Sequence, residues 1–334
     1  MSKILVTGGA GFIGSNFIRY ILKKYPEDTV INLDKLTYAG NLNNLKDIEG
    51  NANYKFIKGD IAEERTVKKV FRFNRPDVVV NYAAETHVDR SIIDPAAFVK
   101  TDIIGTYNLL EAIKEFGTAK YVQISTDEVY GSLKSGKFTE ESPFEPNSPY
   151  SASKAGGDLL CRSYSKTYGL PVIITHAVNC YGPYQYPEKL IPLFITNLSE
   201  SKKVPVYGNG ANVREWLYVL DHCSAIDFLL HKGESGQSYN IGSGVEKQNL
   251  EITRLILSEL GKNEDDIEYV KDRPGHDLRY ALEMSKIQKI GWQPEYKFEE
   301  AIRETIRWYR NNEWWWKPLK SGEYLAYYKK QYNQ

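Results

Sequence analysis

Cysteine, methionine and histidine are scarce in this chain of 334 residues, which holds three Cys, two Met and five His. Cys161, Cys180 and Cys223 stand too far apart for the short paired spacings of a zinc site or a redox couple, so no metal site is expected. A reducing cytoplasm is the simplest reading of that cysteine usage. No apolar run is long enough to span a bilayer, and Met1-Ser2-Lys3 runs through a few apolar residues straight into glycines, too short for a signal peptide. Net charge is missing too, with 43 basic against 43 acidic residues, which removes the electrostatic footprint of a general nucleic-acid or anionic-membrane binder. Neither internal repeats nor low-complexity tracts occur. What is left is an ordinary globular composition, long enough for one large or two modest domains.

The most informative stretch is Ser125-Thr126-Asp127-Glu128, which puts two hydroxyls and two adjacent carboxylates at the end of the apolar run Tyr121 to Ile124. Such a run reads as a buried strand of a parallel sheet, and ligands sit at the carboxyl ends of those strands. Tyr150 and Lys154 follow one helical turn apart, so both can project from one helix face into the same crevice. Together these groups are the raw material of acid/base chemistry. Taken singly, each segment is as readily a capped turn or ordinary surface; their joint appearance behind a nucleotide-binding signature favours the chemistry.

That signature opens the chain. Ile4 to Thr7 is a short strand, Gly8, Gly11 and Gly14 stand three apart, and an amphipathic helix then runs to about Lys24, before Pro26. Glycine suits a tight turn, close approach of the backbone to a pyrophosphate, and the anion's seat on a helix N-terminus. Thr29 to Leu33 is the next strand and Asp34 ends it, where an acidic group binds a ribose 2′-hydroxyl and repels a 2′-phosphate. NAD is therefore expected rather than NADP, with Lys35 next door as the opposing sign. Tyr54 to Lys58 is a third strand, and Asp60 after it either accepts from an adenine amino group or caps the helix from Glu63 to Phe73. Val78 to Tyr82 is a fourth; Ala83 and Ala84 behind it let a cofactor lie against the backbone, and His87 is either a substrate contact or a polar loop residue. One long helix is expected from about Pro95 to Phe116, and the strand into Ser125 completes a doubly wound, Rossmann-type parallel sheet of the α/β class.

The Gly-, Ser- and Pro-rich segment 131–148 reads as a mobile flap over the site. Further strands are expected at Val172 to Ala177 and Ser238 to Ile241, the latter returning to the sheet, with Asn249 as the N-cap of a helix to Leu260. The expected division is a dinucleotide domain over 1–178 and a smaller mixed α/β substrate lobe over 179–334, the two interleaved. Trp314, Trp315 and Trp316 read by default as packing against the second lobe or a partner subunit.

Assembled in this way, the chain resembles the dTDP-glucose 4,6-dehydratase family of extended short-chain dehydrogenase/reductases over nearly its whole length. The residues carrying the resemblance are Leu33 to Asn41, Thr126-Asp127-Glu128, Tyr150 with Lys154, Tyr181 to Leu190, and Asp272 to Asp277. It implies that NAD is held by Gly8, Gly11, Phe12, Ile13, Gly14, Asp34, Lys35, Leu36, Thr37, Asp60, Ile61, Tyr82, Ala83, Ala84, Thr101, Tyr150 and Lys154, with Cys180 touching the nicotinamide through its backbone. It also implies that Tyr150, its phenol acidified by Lys154 and the nicotinamide cation, takes the C4 hydroxyl proton during oxidation while Thr126 bonds the oxygen. Glu128 then takes the C5 proton and Asp127, protonated, delivers one to the departing C6 hydroxyl, before hydride returns to C6. Adjacent residues diverge on a helix, so the turn after the strand is expected to aim both carboxyls inward.

By the same resemblance Thr86, His87, Asn179, Glu188, Lys189, Leu190, Pro205, Tyr207, Arg214, Asn249, Arg273 and His276 hold the nucleotide sugar, Lys189, Arg214 and Arg273 being candidates for its diphosphate. The helices 95–116 and 151–168 are expected to pair across a two-fold axis in a homodimer. The product would be a 4-keto-6-deoxy sugar nucleotide feeding rhamnose or another deoxysugar of a cell-surface polysaccharide. His176-Ala177-Val178-Asn179-Cys180 departs from the family's usual Arg, small, Ser, Asn, Asn, and Glu215 stands where Asp is common. Competing readings are a dehydratase or epimerase of UDP sugars, or a catalytically silent NAD-sensing protein.

Overall fold

The computed structural model describes residues 1–272, 277–322, 324, 325, 328 and 331. Its strands, in chain order, are β1 (Lys3–Thr7), β2 (Thr29–Asp34), β3 (Tyr54–Lys58), β4 (Val78–Asn81), β5 (Lys120–Thr126), β6 (Val172–Ala177), β7 (Asn179–Tyr181), β8 (Val204–Tyr207), β9 (Val213–Tyr218), β10 (Ser238–Ile241), β11 (Glu246–Gln248) and β12 (Ile267–Val270). Seven of them form one sheet in the order β10-β6-β5-β4-β1-β2-β3, parallel throughout. The order reverses between β1 and β4, and the crevice of a doubly wound sheet opens at that switch. The sheet is buried on both faces: Ile4 and Val6 join one apolar cluster, Leu5 the other, as the two-residue period of a strand requires. Two small sheets, β11-β9-β7 and β12-β8, stand beside it.

Helix α1 (Phe12–Lys24) buries Phe17, Ile18, Ile21 and Leu22 at helical spacing and ends at Tyr25, before Pro26. On the other face α2 (Glu64–Asn74) contributes Val67 and Phe71. α3 (Val88–Ile93) and α4 (Pro95–Phe98) lead into a π-helical stretch, Val99–Gly105, which continues as α5 (Thr106–Phe116). The single helix expected over 95–116 thus carries a widened turn, a feature that often marks functional sites and that hydrophobic spacing does not register. α6 (Pro149–Tyr168) has Pro at its first position, and the Ser148 and Ser151 hydroxyls each accept from the other residue's backbone N–H.

The segment 131–148 is packed rather than free. Leu133 N donates to Arg279 O, Phe138 N to Ala281 O, and Glu283 N to Phe138 O, while the Phe138 ring stacks on Tyr130 at 5.1 Å. It lines neither of the two cavities described below, so the expected flap is a pinned strap beside the sheet. Asn249 is the first residue of its helix and not the cap; Gln248 precedes it, and its N–H donates to the Glu251 carboxylate at 2.6 Å.

Candidate active site

The glycine turn is shaped by contacts that tolerate no side chain. Gly8 has φ +65°, and a Cβ on it would meet Ala83 N at 2.6 Å; a Cβ on Gly14 would meet Gly8 O at 2.5 Å. The turn therefore lies against the end of β4 across the switch point, with the N-terminus of α1 facing the crevice. Asp34 at the end of β2 is buried and accepts from Ala10 N (2.9 Å) and Leu36 N (2.7 Å). Burial pushes its carboxyl up, against the pull of those two donors. Lys35 is paired with Asp60 at 2.8 Å, which ties up the cation that would have welcomed a 2′-phosphate. Asp60 makes a turn to Ala62 N at 2.8 Å and does not cap α2, whose cap position is Glu63.

A cavity of about 280 Å³ runs from this turn to β5. It is lined by Gly8, Gly11, Phe12, Ile13, Gly14, Asp34, Lys35, Thr37, Asp60, Ile61, Tyr82, Ala83, Ala84, Thr86, Thr101, Thr126, Tyr150, Lys154 and Cys180, together with Asp127 and Glu128. Of the expected cofactor residues only Leu36 lies outside the lining; its φ of 59° serves the turn that wraps Asp34. Thr101 reaches the cavity from the π-helical stretch. A second cavity, of about 150 Å³, is lined by His87, Asn179, Glu188, Lys189, Leu190, Pro205, Tyr207, Arg214 and Asn249, with Trp216 and Tyr280. Glu128, Asn179, Glu188 and Lys189 belong to both linings, so the two spaces meet there. Arg273 and His276 fall outside the described residues.

Where the cavities meet, the chain turns sharply. The 3₁₀ turn Asp127–Tyr130 follows β5, the Thr126 hydroxyl accepts from Glu128 N at 3.3 Å, and both carboxyls face inward as expected. Asp127 is buried, and its Oδ2 has no hydrogen-bond partner. Burial, then the negative charges of Glu128 and Glu215, push its carboxyl well above the usual range. That placement favours the protonated form of Asp127 beside a second carboxyl. Lys154 sits beneath the strand end, its Nζ donating to Ile124 O at 2.7 Å. Burial raises the Tyr150 phenol, Glu128 and Asp102 raise it further, and a hydrogen bond to Thr126 acts the other way. Among the chain's own groups the Tyr150 phenol is thus held up, by burial first and then by neighbouring carboxylates.

Two buried polar residues carry no signal in the sequence, His222 in the lining and Asp102 next to the lining residue Thr101. His222 is buried with neither ring nitrogen bonded, and burial depresses it to about 4, so it is neutral. Asp102, in the widened turn, accepts from Ser153 Oγ at 2.6 Å; burial pushes it up to about 6 against the pull of Lys154. Arg214 donates to Asp277 O at 3.0 Å and lies 4.5 Å over the Tyr280 ring, which flattens its guanidinium along the second cavity. The orphaned Asn249 Oδ1 in that cavity fits a ligand contact better than a cap.

The departures are accommodated inside the fold. Glu215 accepts from Ser243 N (2.8 Å), Gly244 N (2.7 Å) and Leu282 N (3.2 Å), reaching backbone groups across a gap kept open by Gly242. His176 contacts the Tyr130 hydroxyl at 2.8 Å, with Asp158 3.3 Å from its other nitrogen and the Ser125 hydroxyl donating to Asp158 at 2.5 Å.

The glycine cradle, the acid at the end of β2 and the buried, unbonded Tyr82 hydroxyl fit a dinucleotide in the first cavity. Comparison with known proteins agrees: a family model described as GDP-mannose 4,6 dehydratase matches residues 5–305. The chain belongs to this dehydratase family. Within the family it is 51% identical over 326 residues to the dTDP-glucose 4,6-dehydratase of Streptomyces niveus, covering 96% of each chain. The crystal structure of the dTDP-glucose 4,6-dehydratase of Bacillus anthracis strain Ames, in complex with NAD, superposes with a TM-score of 0.90 at 53% identity, covering 96% of this chain and 100% of that one. The Streptomyces venezuelae dTDP-glucose 4,6-dehydratase, crystallised with NAD and a second ligand, gives 0.93 at 50% identity over 95% of this chain and 100% of that one. No helix among the described residues of this dehydratase-family chain is long and apolar enough to cross a membrane.

Proposed function

We propose that this chain is an NAD-dependent hydro-lyase that converts dTDP-glucose to dTDP-4-keto-6-deoxyglucose. The observation that carries the reading is the turn after β5, where a buried Asp127 with its carboxyl pushed up lines the first cavity beside Glu128, which opens onto the meeting point of the two cavities. NAD in the first cavity supplies oxidation at C4 and the reducing equivalent returned at C6. Tyr150 takes the C4 hydroxyl proton and Thr126 bonds that oxygen. The ketone acidifies the C5 hydrogen, Glu128 removes it, and Asp127 protonates the C6 hydroxyl so that it leaves as water. Glu128 finally returns its proton to C5. Residues of the seven-stranded sheet hold the cofactor; Lys189, Pro205, Tyr207, Arg214 and Asn249 hold the sugar nucleotide, with Arg273 and His276 proposed from the sequence alone.

Mass spectrometry after incubation with dTDP-glucose, UDP-glucose and GDP-mannose separately, without added cofactor, tests this. Loss of one water from dTDP-glucose alone is the expected result. Loss from another sugar nucleotide keeps the mechanism and moves the substrate. No mass change in any sample, even with NAD added, returns the choice to an epimerase or a binding protein.

We further propose a homodimer in a reducing cytoplasm, its product serving rhamnose or another deoxysugar. Ile104, Tyr107, Leu159 and Tyr168 are exposed large apolar residues on the π-helical stretch, α5 and α6, a face suited to a second copy. Sedimentation velocity at micromolar concentration should give twice the 38.3 kDa chain mass; a monomer there sinks the idea. The three free cysteines agree with the compartment.

A further inference from the structure

The tryptophan triplet has no part in the chemistry above, yet two of its three indoles are buried and hydrogen-bonded. Trp315 and Trp316 are 2% and 0% exposed, whereas Trp314 is 51% exposed. Trp315 Nε1 donates to Asn44 Oδ1 at 2.7 Å, and Asn44 Nδ2 donates to Ala10 O at 2.8 Å. Ala10 is in the glycine turn: its carbonyl also accepts from Asn41 N at 3.0 Å and its N–H donates to Asp34 Oδ2 at 2.9 Å. The main chain of Asn44 is fixed as well, because Arg19 donates to its carbonyl while bound to Asp47 at 2.7 and 2.9 Å.

Trp316 is linked to another stretch of the same cavity's lining. Its Nε1 donates to Tyr309 O at 2.9 Å, the Tyr309 hydroxyl donates to Gln185 O at 2.5 Å, and Gln185 Nε2 donates to Cys180 O at 3.0 Å. Gln185 and Cys180 line the first cavity. Between the two arms the Tyr184 ring packs on Trp308 at 4.5 Å and on Trp315 at 5.6 Å, with the Arg19 guanidinium 4.2 Å over its other side. Two adjacent residues thus tie into two stretches of the lining, alongside direct links such as Asn16 Nδ2 donating to Pro183 O at 3.0 Å.

We infer that the segment Glu313–Trp316 is a bracket that sets the width of the dinucleotide cavity, with Trp315 a positioning residue for the cofactor acting through Asn44 and Ala10. The inference rests on the reading of the first cavity as the dinucleotide site. The anion seat on a helix N-terminus works only if the turn's N–H groups point at one spot, and the Trp315–Asn44–Ala10 relay removes the turn's freedom to drift. A cycle that regenerates its cofactor has no step in which the cofactor must leave, so a rigid hold costs the reaction nothing.

Trp292 provides the control: it too is buried, and its Nε1 donates one hydrogen bond, to Ser224 Oγ at 3.0 Å, away from the cavity. The affinity of cofactor-stripped protein for added NAD is measured by calorimetry for wild type, Trp315→Phe, Asn44→Ala and Trp292→Phe, with thermal midpoints alongside. Losing one buried hydrogen bond in the relay should weaken NAD by about tenfold in Trp315→Phe and in Asn44→Ala. Trp292→Phe should lose thermal stability and keep wild-type NAD affinity. If Trp315→Phe does not fold, Asn44→Ala alone decides. Unchanged NAD affinity in the relay variants, or equal weakening in Trp292→Phe, overturns the bracket. Wild type that binds no NAD overturns the site reading and the inference together, whereas failure to turn over dTDP-glucose leaves this result standing.

Discussion

Replacing Glu128 by Gln is expected to lower dehydration of dTDP-glucose by about three orders of magnitude while leaving the first half of the reaction running, as loss of a positioned general base implies. The amide keeps the shape of the side chain and cannot take the C5 proton. Mixing the variant with substrate should therefore develop the near-ultraviolet absorbance of reduced cofactor, without any loss of water by mass. The same substitution moves the pH dependence of that first half. Burial and the charges of Glu128 and Asp102 hold the Tyr150 phenol above its ordinary value. Removing the Glu128 charge lets the phenol ionise at lower pH, so the rise of the reduction rate with pH should shift to the acid side relative to wild type. Wild-type dehydration by Glu128→Gln would withdraw the base from this residue, and an alkaline shift would contradict the electrostatics.

Tyr150→Phe is expected to abolish both halves. Without the phenol nothing takes the C4 proton, and no reduced cofactor should accumulate at any pH; turnover should fall by about three to four orders of magnitude. The ring itself should stay in place, since it packs on Phe98 at 6.2 Å from the widened-turn side. NAD content and thermal midpoint should accordingly match wild type, which separates lost chemistry from lost folding. If Tyr150→Phe reduces its cofactor on substrate, another group accepts the C4 proton; the Thr126 hydroxyl, which hydrogen-bonds Tyr150, is the first to try.

Much of this site was legible before any coordinates. The glycine spacing, Asp34 at the end of β2 and the Tyr150–Lys154 pair are local patterns, and each is forced by geometry within a few residues: a turn that admits no Cβ, a strand end, one helical turn. The second cavity was legible only through the family resemblance, because Asn179, Lys189, Pro205, Tyr207, Arg214 and Asn249 are scattered over 71 positions of chain and no local spacing links them. The widened turn at Val99–Gly105 was not legible, since one extra residue in a helix leaves the apolar rhythm nearly intact. Segment 131–148 misled for a related reason: Gly, Ser and Pro signal a loop, but whether a loop moves depends on partners such as residues 279–283, which lie far away in sequence.

The sequence by itself determined the α/β class, the order of the strands and helices, and the identity of the groups at the end of β5, because those follow from side-chain periodicity and from what glycine, proline and carboxylates do locally. Only the tertiary structure decided in which direction the titration of those groups is shifted. The Asp127 carboxyl is pushed up because burial and the charges of Glu128 and Glu215 coincide around it, and the Tyr150 phenol is held up by burial first and then by Glu128 and Asp102, which converge on it from opposite sides in sequence. Charge state depends on distance through a low-dielectric interior, and those distances exist only once β5, α6 and the widened turn are packed together.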